Sequence, residues 1–161
     1  MLKLIKREPI WEYLSTTQKD LIQEGNFLMS IVKPHQFKDY SFLVFPFAKV
    51  FEGYLKQLFL DVGFITHQDY ISDHFRIGKY LSPHMVNRLE EHSIFAQIRD
   101  ASTIDLAKNL WSIWKKGRNE IIHYYPHNLR SVSYFEAKEM NEDILNAMIE
   151  AHQKLKISAK V

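Results

Sequence analysis

The sequence predicts an all-α protein, a bundle of four main helices with a short extra helix, and three kinds of observation predict it. Apolar residues recur at three-, four- and seven-residue spacings over long windows, prolines and glycines stand at the ends of those windows, and no stretch alternates as a half-buried strand would. A chain of 161 residues that is 46% hydrophobic and 14% aromatic can bury a core, and its length suits one domain over 1–161.

The first window, 8–33, carries Trp11, Leu14, Leu21, Ile22, Leu28, Met29 and Val32 at helical spacing, with Gly25 as a weak point and Pro34 just beyond its end. The second, 39–62, holds Phe42, Leu43, Phe45, Phe47, Val50, Phe51, Leu55, Leu58 and Phe59. It is apolar around most of its circumference and is therefore the central buried helix. Pro46 marks either a kink or the true helix start, and Gly63 a stop. Residues 64–83 lose the period and read as a connector with one short turn of helix. After Pro83, Met85, Leu89 and Ile94 suggest the short helix, broken near Ser93. Thr103 or Ser102 then caps a long helix through Leu110, Trp111 and Trp114 to Tyr124, interrupted at Gly117 and stopped by Pro126. The last helix, 134–156, shows Phe135, Met140, Ile144, Leu145, Met148 and Ile149 on its apolar stripe.

Composition excludes several classes of function. Cysteine is absent, so disulfides, thiolate zinc sites and cysteine nucleophiles are out of reach. The scattered His35, His67, His74, His84 and His92 lack metal-ligand spacing, and Pro126 interrupts the pair His123 and His127, so no metal and no cofactor is expected. Glycine-rich phosphate loops and serine nucleophile motifs are missing. No apolar run reaches the ~18 residues of a membrane span and the N-terminus lacks a signal-peptide pattern, which predicts a soluble, cytoplasmic protein without a membrane partner. A net charge of +2 is compatible with RNA without indicating it.

The chemistry concentrates in 109–126. Arg118 offers a planar fork of donors for phosphate oxygens and keeps its charge; His123 titrates near neutrality and can act as acid or base. Together they suit metal-free phosphodiester cleavage, in which a ribose 2′-OH attacks the adjacent phosphorus. Five residues separate them, which on an ideal α-helix is about 140° of rotation, so a single helix does not stack them. Spacing alone leaves the blander reading open: a surface arginine, and a histidine pairing with the last carbonyls of its helix.

Arg118-Asn119 followed by His123 near the end of a long helix resembles the motif of the HEPN superfamily, whose members are bundles of four to five helices and include many metal-independent endoribonucleases. Phe51-Glu52-Gly53-Tyr54 on the central helix and Phe75-Arg76-Ile77-Gly78-Lys79-Tyr80 after it are similar to the HEPN domain of the RNase LS toxins, the RnlA and LsoA type. The resemblance covers roughly 40–126. It implies an acidic companion to the Arg and His, which falls on Glu52, and a homodimer with a composite active site, so that Arg118 of one subunit serves His123 of the other. It implies RNA as substrate, a 2′,3′-cyclic phosphate product, and an antitoxin protein as partner.

Around this core of Arg118, His123, Glu52 and Asn119, the residues Lys115, Arg76 and Tyr124 are candidate substrate contacts. Each has a plainer alternative. Glu52 could pair with Lys49 or Lys56, Asn119 could be a solvated polar residue, Lys115 and Lys116 a charged face, and Trp111 and Trp114 core. Two further functions stay open: a non-catalytic HEPN-type module that binds RNA or a partner protein, and a helical interaction domain in which the motif is accidental.

Overall fold

Side-chain caps set where five of the described helices begin, among them three of the four longest. In the computed structural model, which describes residues 2–122 and 131–156, the order is α1 (Leu2–Ile5), α2 (Ile10–Tyr13), α3 (Thr16–Ile31), α4 (Phe45–Asp61), α5 (His67–Ile71), α6 (Ile77–Tyr80), α7 (Val86–Leu89), α8 (Ile94–Ala101), α9 (Ile104–Trp114), α10 (Glu120–Ile122) and α11 (Tyr134–Ala151). Turns of 3₁₀ helix precede α4, α7 and α8, and π-helical turns follow α9 and α11. The described residues contain no strand, so the protein is all-α. Its longest helices, α3, α4, α9 and α11, lie in the four predicted windows, but it has more short helical pieces than the apolar period suggests.

The window 8–33 is two helices, not one. Leu14 is extended, and the Ser15 hydroxyl accepts from the Gln18 amide while the Gln18 side chain accepts from Ser15 N–H. This reciprocal capping box satisfies two otherwise orphaned donors and starts a new helix where the apolar spacing alone would continue the old one. Gly25 is no weak point. It is buried inside α3, and a Cβ there would lie 2.6 Å from Cε2 of fully buried Phe47, so its missing side chain lets α3 and α4 touch. Gly25→Ala gains about 1 kcal/mol of helix propensity but overpacks the core at a cost of about 1–3 kcal/mol. The expected net result is a lower melting temperature, checked by circular dichroism.

α4 starts at Phe45 with Pro46 in its first turn, as one of the two sequence readings had it, and Gly63 (φ +79°) closes it with a Phe64 N–H to Phe59 carbonyl bond of 2.8 Å. Its buried face of Phe47, Val50, Phe51, Tyr54, Leu55, Leu58 and Phe59 makes it the core helix, packed between α3 and α11. The one polar group on that face, the Tyr54 hydroxyl, donates to the Met148 carbonyl of α11 at 3.0 Å. Residues 64–83 hold two short helices, α5 and α6, rather than one turn. Ser93 and Thr103 cap α8 and α9, and Ser133 caps α11. Phe135, counted with the apolar stripe in the sequence, is 65% exposed because it lies about half a turn around α11 from Ile144, on the face away from the core that buries Val132 and Ala137 on either side of it.

Asp39 ties the entrance of α4 to the entrance of α11. Its Oδ1 accepts from the Ser41 hydroxyl (2.7 Å), the Ser41 amide (3.0 Å) and the Val132 amide (3.0 Å). Partial burial pushes this carboxyl up, but the hydrogen bonds from Ser41 and Val132 outweigh it and hold it below the usual carboxylate range. A depressed folded-state value means stability that is present above the unfolded value near 4 and is lost as pH falls through the folded one. The urea midpoint is therefore expected to drop below about pH 4, and to drop less in Asp39→Asn, with chemical denaturation across pH as the check.

Candidate active site

Arg118 lies in a π-helical turn, Lys115–Asn119, inserted between α9 and α10. The amide of Glu120 reaches back to the Lys115 carbonyl, one residue farther than an α-helix allows. Such a wide turn brings residues five apart onto one face, and Lys115 Nζ accordingly lies 3.8 Å from Glu120 Oε1. Gly117, expected only to loosen the helix, is buried in this turn, where a Cβ would come 3.1 Å from Ile144 Cδ1 of α11. The close approach to α11 explains the glycine better than flexibility does.

The turn projects Arg118 toward α4. Its Nη2 lies 3.5 Å from Oε2 of Glu52, and the two side chains keep only 26% and 33% of their exposure. The sequence alternatives for Glu52, Lys49 and Lys56, sit on its own helix; the carboxylate instead meets the cation from α9–α10. The separation exceeds the 2.7–2.9 Å of a tight charge-assisted hydrogen bond, so Glu52 orients the guanidinium without saturating its donors. Below it the guanidinium carbon sits 5.2 Å from the centre of the Trp114 ring, within cation–π range. Arg118 Nε is buried and has no hydrogen-bond partner among the described residues. An orphaned donor of this kind is costly, and functional sites are where such costs are found.

Trp114 holds this arrangement together. It is buried, tilts against Phe51 at 6.3 Å between ring centres, and meets α6 at Gly78, where a Cβ would lie 2.6 Å from its Nε1. Trp114 was legible as core; its part in seating Arg118, four residues on, was missed although i, i+4 spacing signals it. Trp111 is only partly buried against the core.

The other candidate residues divide. Lys115 and half-buried Asn119 ride the same π turn as Arg118. Arg76 does not join them: it is exposed at the start of α6, and its guanidinium donates to the Asp73 carbonyl. His123 and Tyr124, with Pro126 and the predicted end of that helix, lie outside the described residues. Among the described residues no three His, Asp or Glu side chains group to hold a metal ion, and no helix is long and apolar enough to cross a membrane.

A partly buried arginine, aimed by a carboxylate and backed by an indole, can hold an oxyanion such as a phosphate. Among known families, one described as "RNase LS, bacterial toxin DBD domain" matches residues 10–125. No curated protein and no solved structure matches the chain.

Proposed function

This chain belongs to the family of the RNase LS bacterial toxin DBD domain, and from that premise we propose that it is a metal-independent endoribonuclease of the toxin or host-defence type, built as one HEPN domain over 1–161. The observation that carries the proposal is the Arg118–Glu52 pair, which joins two distant motif positions at one point. Arg118 holds the scissile phosphate of a single-stranded RNA. The neighbouring 2′-OH gives up its proton to a base and attacks phosphorus, the bond to the 5′-oxygen breaks, and that oxygen takes a proton as it leaves. A 2′,3′-cyclic phosphate and a free 5′-hydroxyl result. His123 moves these protons, Glu52 positions Arg118, and Asn119, Lys115, Arg76 and Tyr124 steady the strand.

The active unit is a cytoplasmic homodimer whose two motif turns share one cleft, and the family relation supports an antitoxin protein as a further partner. Twofold pairing is the commonest closed symmetry and would let Arg118 and His123 come from different subunits. Light scattering together with an activity assay tests it: a monomer that cleaves RNA contradicts the composite site.

Incubation of RNA with the protein in EDTA tests the chemistry. Cleavage to cyclic-phosphate ends, lost in Arg118→Ala and His123→Ala, is the expected result; no cleavage, or cleavage unchanged in both variants, removes the proposal. A second reading, a non-catalytic module that holds RNA or a partner protein, is favoured by the internal pairing of Arg118 with Glu52 and Trp114. RNA binding without turnover selects it.

A further inference from the structure

A second concave site lies around the segments α5, α6 and the turn after α7, apart from Arg118 and Glu52. Phe64, Ile65, Thr66, Asp69, Phe75, Tyr80, Leu89 and His92 line a cleft of about 370 Å³, within the ~300–1,000 Å³ of small-ligand sites. Its walls are apolar: Ile65 and Phe75 are buried, and Phe75 stacks on Tyr80 with ring centres 4.7 Å apart. Its polar lining residues are Thr66, Asp69 and His92. Asp69 Oδ2 accepts from the Thr66 hydroxyl (2.6 Å) and amide (2.9 Å), which leaves Oδ1 with no hydrogen bond to the described residues. The Thr66 hydroxyl, then the Thr66 amide, hold this carboxyl below the usual range, so it stays an ionised acceptor. Lys79 lies over Tyr80, its Nζ 5.4 Å from the ring centre, and Arg76 is exposed at the start of the same helix. Glu90, at φ +50°, holds the turn between Leu89 and His92 in a conformation that side chains rarely adopt.

We propose that this cleft is a nucleobase-specificity subsite, taking one unstacked base of the RNA strand and choosing those with an exocyclic amine. This rests on the reading that the chain engages RNA. The aromatic and aliphatic walls receive the flat face of the base, as single-stranded RNA recognition requires. Asp69 Oδ1 accepts from the exocyclic amine, the pairing by which a carboxylate reads cytosine N4. Lys79 and Arg76, exposed on and beside α6, supply positive charge for the flanking phosphates. Uracil, which presents a carbonyl at the corresponding position, meets a carboxylate oxygen there and is excluded.

Cytidine and uridine test the proposal, because neither carries a phosphate that Arg118 could hold and neither needs to be cleaved. Titration of the full chain, followed by ligand NMR line broadening, is expected to show cytidine bound at least tenfold more tightly than uridine. Asp69→Asn keeps an oxygen for the Thr66 cap and turns an amide donor toward the base, so the preference should shift to uridine. Leu89→Trp fills the cleft and should lose both, with circular dichroism confirming the fold. Equal binding of the two nucleosides, no binding of either to the folded protein, or a preference unmoved by Asp69→Asn overturns the subsite. Cytidine selectivity in a protein that cleaves no RNA keeps the subsite and sinks the nuclease; cleavage without nucleoside selectivity does the reverse.

Discussion

Arg118→Ala is expected to lower RNA cleavage by about 10²–10³-fold, the size of effect that follows loss of one oriented donor to a developing oxyanion. Folding should change little. The ion pair it removes is part-exposed and 3.5 Å long, and pairs of that kind contribute about 0–1 kcal/mol. Removing the guanidinium also removes the cost of its buried, unpartnered Nε. A near-unchanged melting curve with a large loss of turnover is thus the signature of a catalytic arginine. Glu52→Gln supplies the control for its companion. A carboxamide oxygen can still face Nη2, so a positioning role predicts a modest loss with an unaltered pH–rate profile, whereas a proton-transferring Glu52 predicts that one limb of the profile disappears. Single-turnover rates across pH, measured on the same RNA, separate the two.

Trp114→Ala should produce the largest loss of stability, about 3–5 kcal/mol, because it empties the volume of a buried indole at a junction of three elements. Phe51 of α4 loses its aromatic neighbour, Gly78 of α6 loses the ring it was shaped to meet, and Arg118 loses the surface beneath its guanidinium. Urea unfolding measures the stability. Activity should fall even at temperatures where the variant stays folded, since Arg118 then depends on Glu52 alone for orientation. Trp114→Phe retains a π face and is expected to recover part of both losses. A variant that is destabilised yet cleaves at the wild-type rate would show that the indole serves only the core.

Much of the fold is legible in the residues because its causes are local. Pro46 can occupy a first turn since it needs no amide there, Gly63 closes α4 through a positive φ, and Thr103 caps α9 with its own hydroxyl. The capping boxes at Ser15–Gln18 and Thr66–Asp69 obey the same local chemistry and were readable, but the continuous apolar period across 8–33 masked the first, and the lack of any period across 64–83 masked the second. Periodicity reports which face is apolar. It carries no information on where the backbone breaks.

The sequence by itself determined that the chain is helical, that α4 is its core helix, and that Arg118, Asn119 and the lysines beside them fall at the end of a long helix. Only the tertiary structure decided that Glu52 faces Arg118 instead of a lysine on its own helix, that the helix widens to a π turn, and that Gly25, Gly78 and Gly117 mark contacts with Phe47, Trp114 and Ile144. The physical reason is range. Caps and helical faces depend on neighbours within a turn or two, whereas a guanidinium finds its carboxylate, and a glycine its facing ring, only once the packing of α4, α6, α9 and α11 has fixed the distances between them.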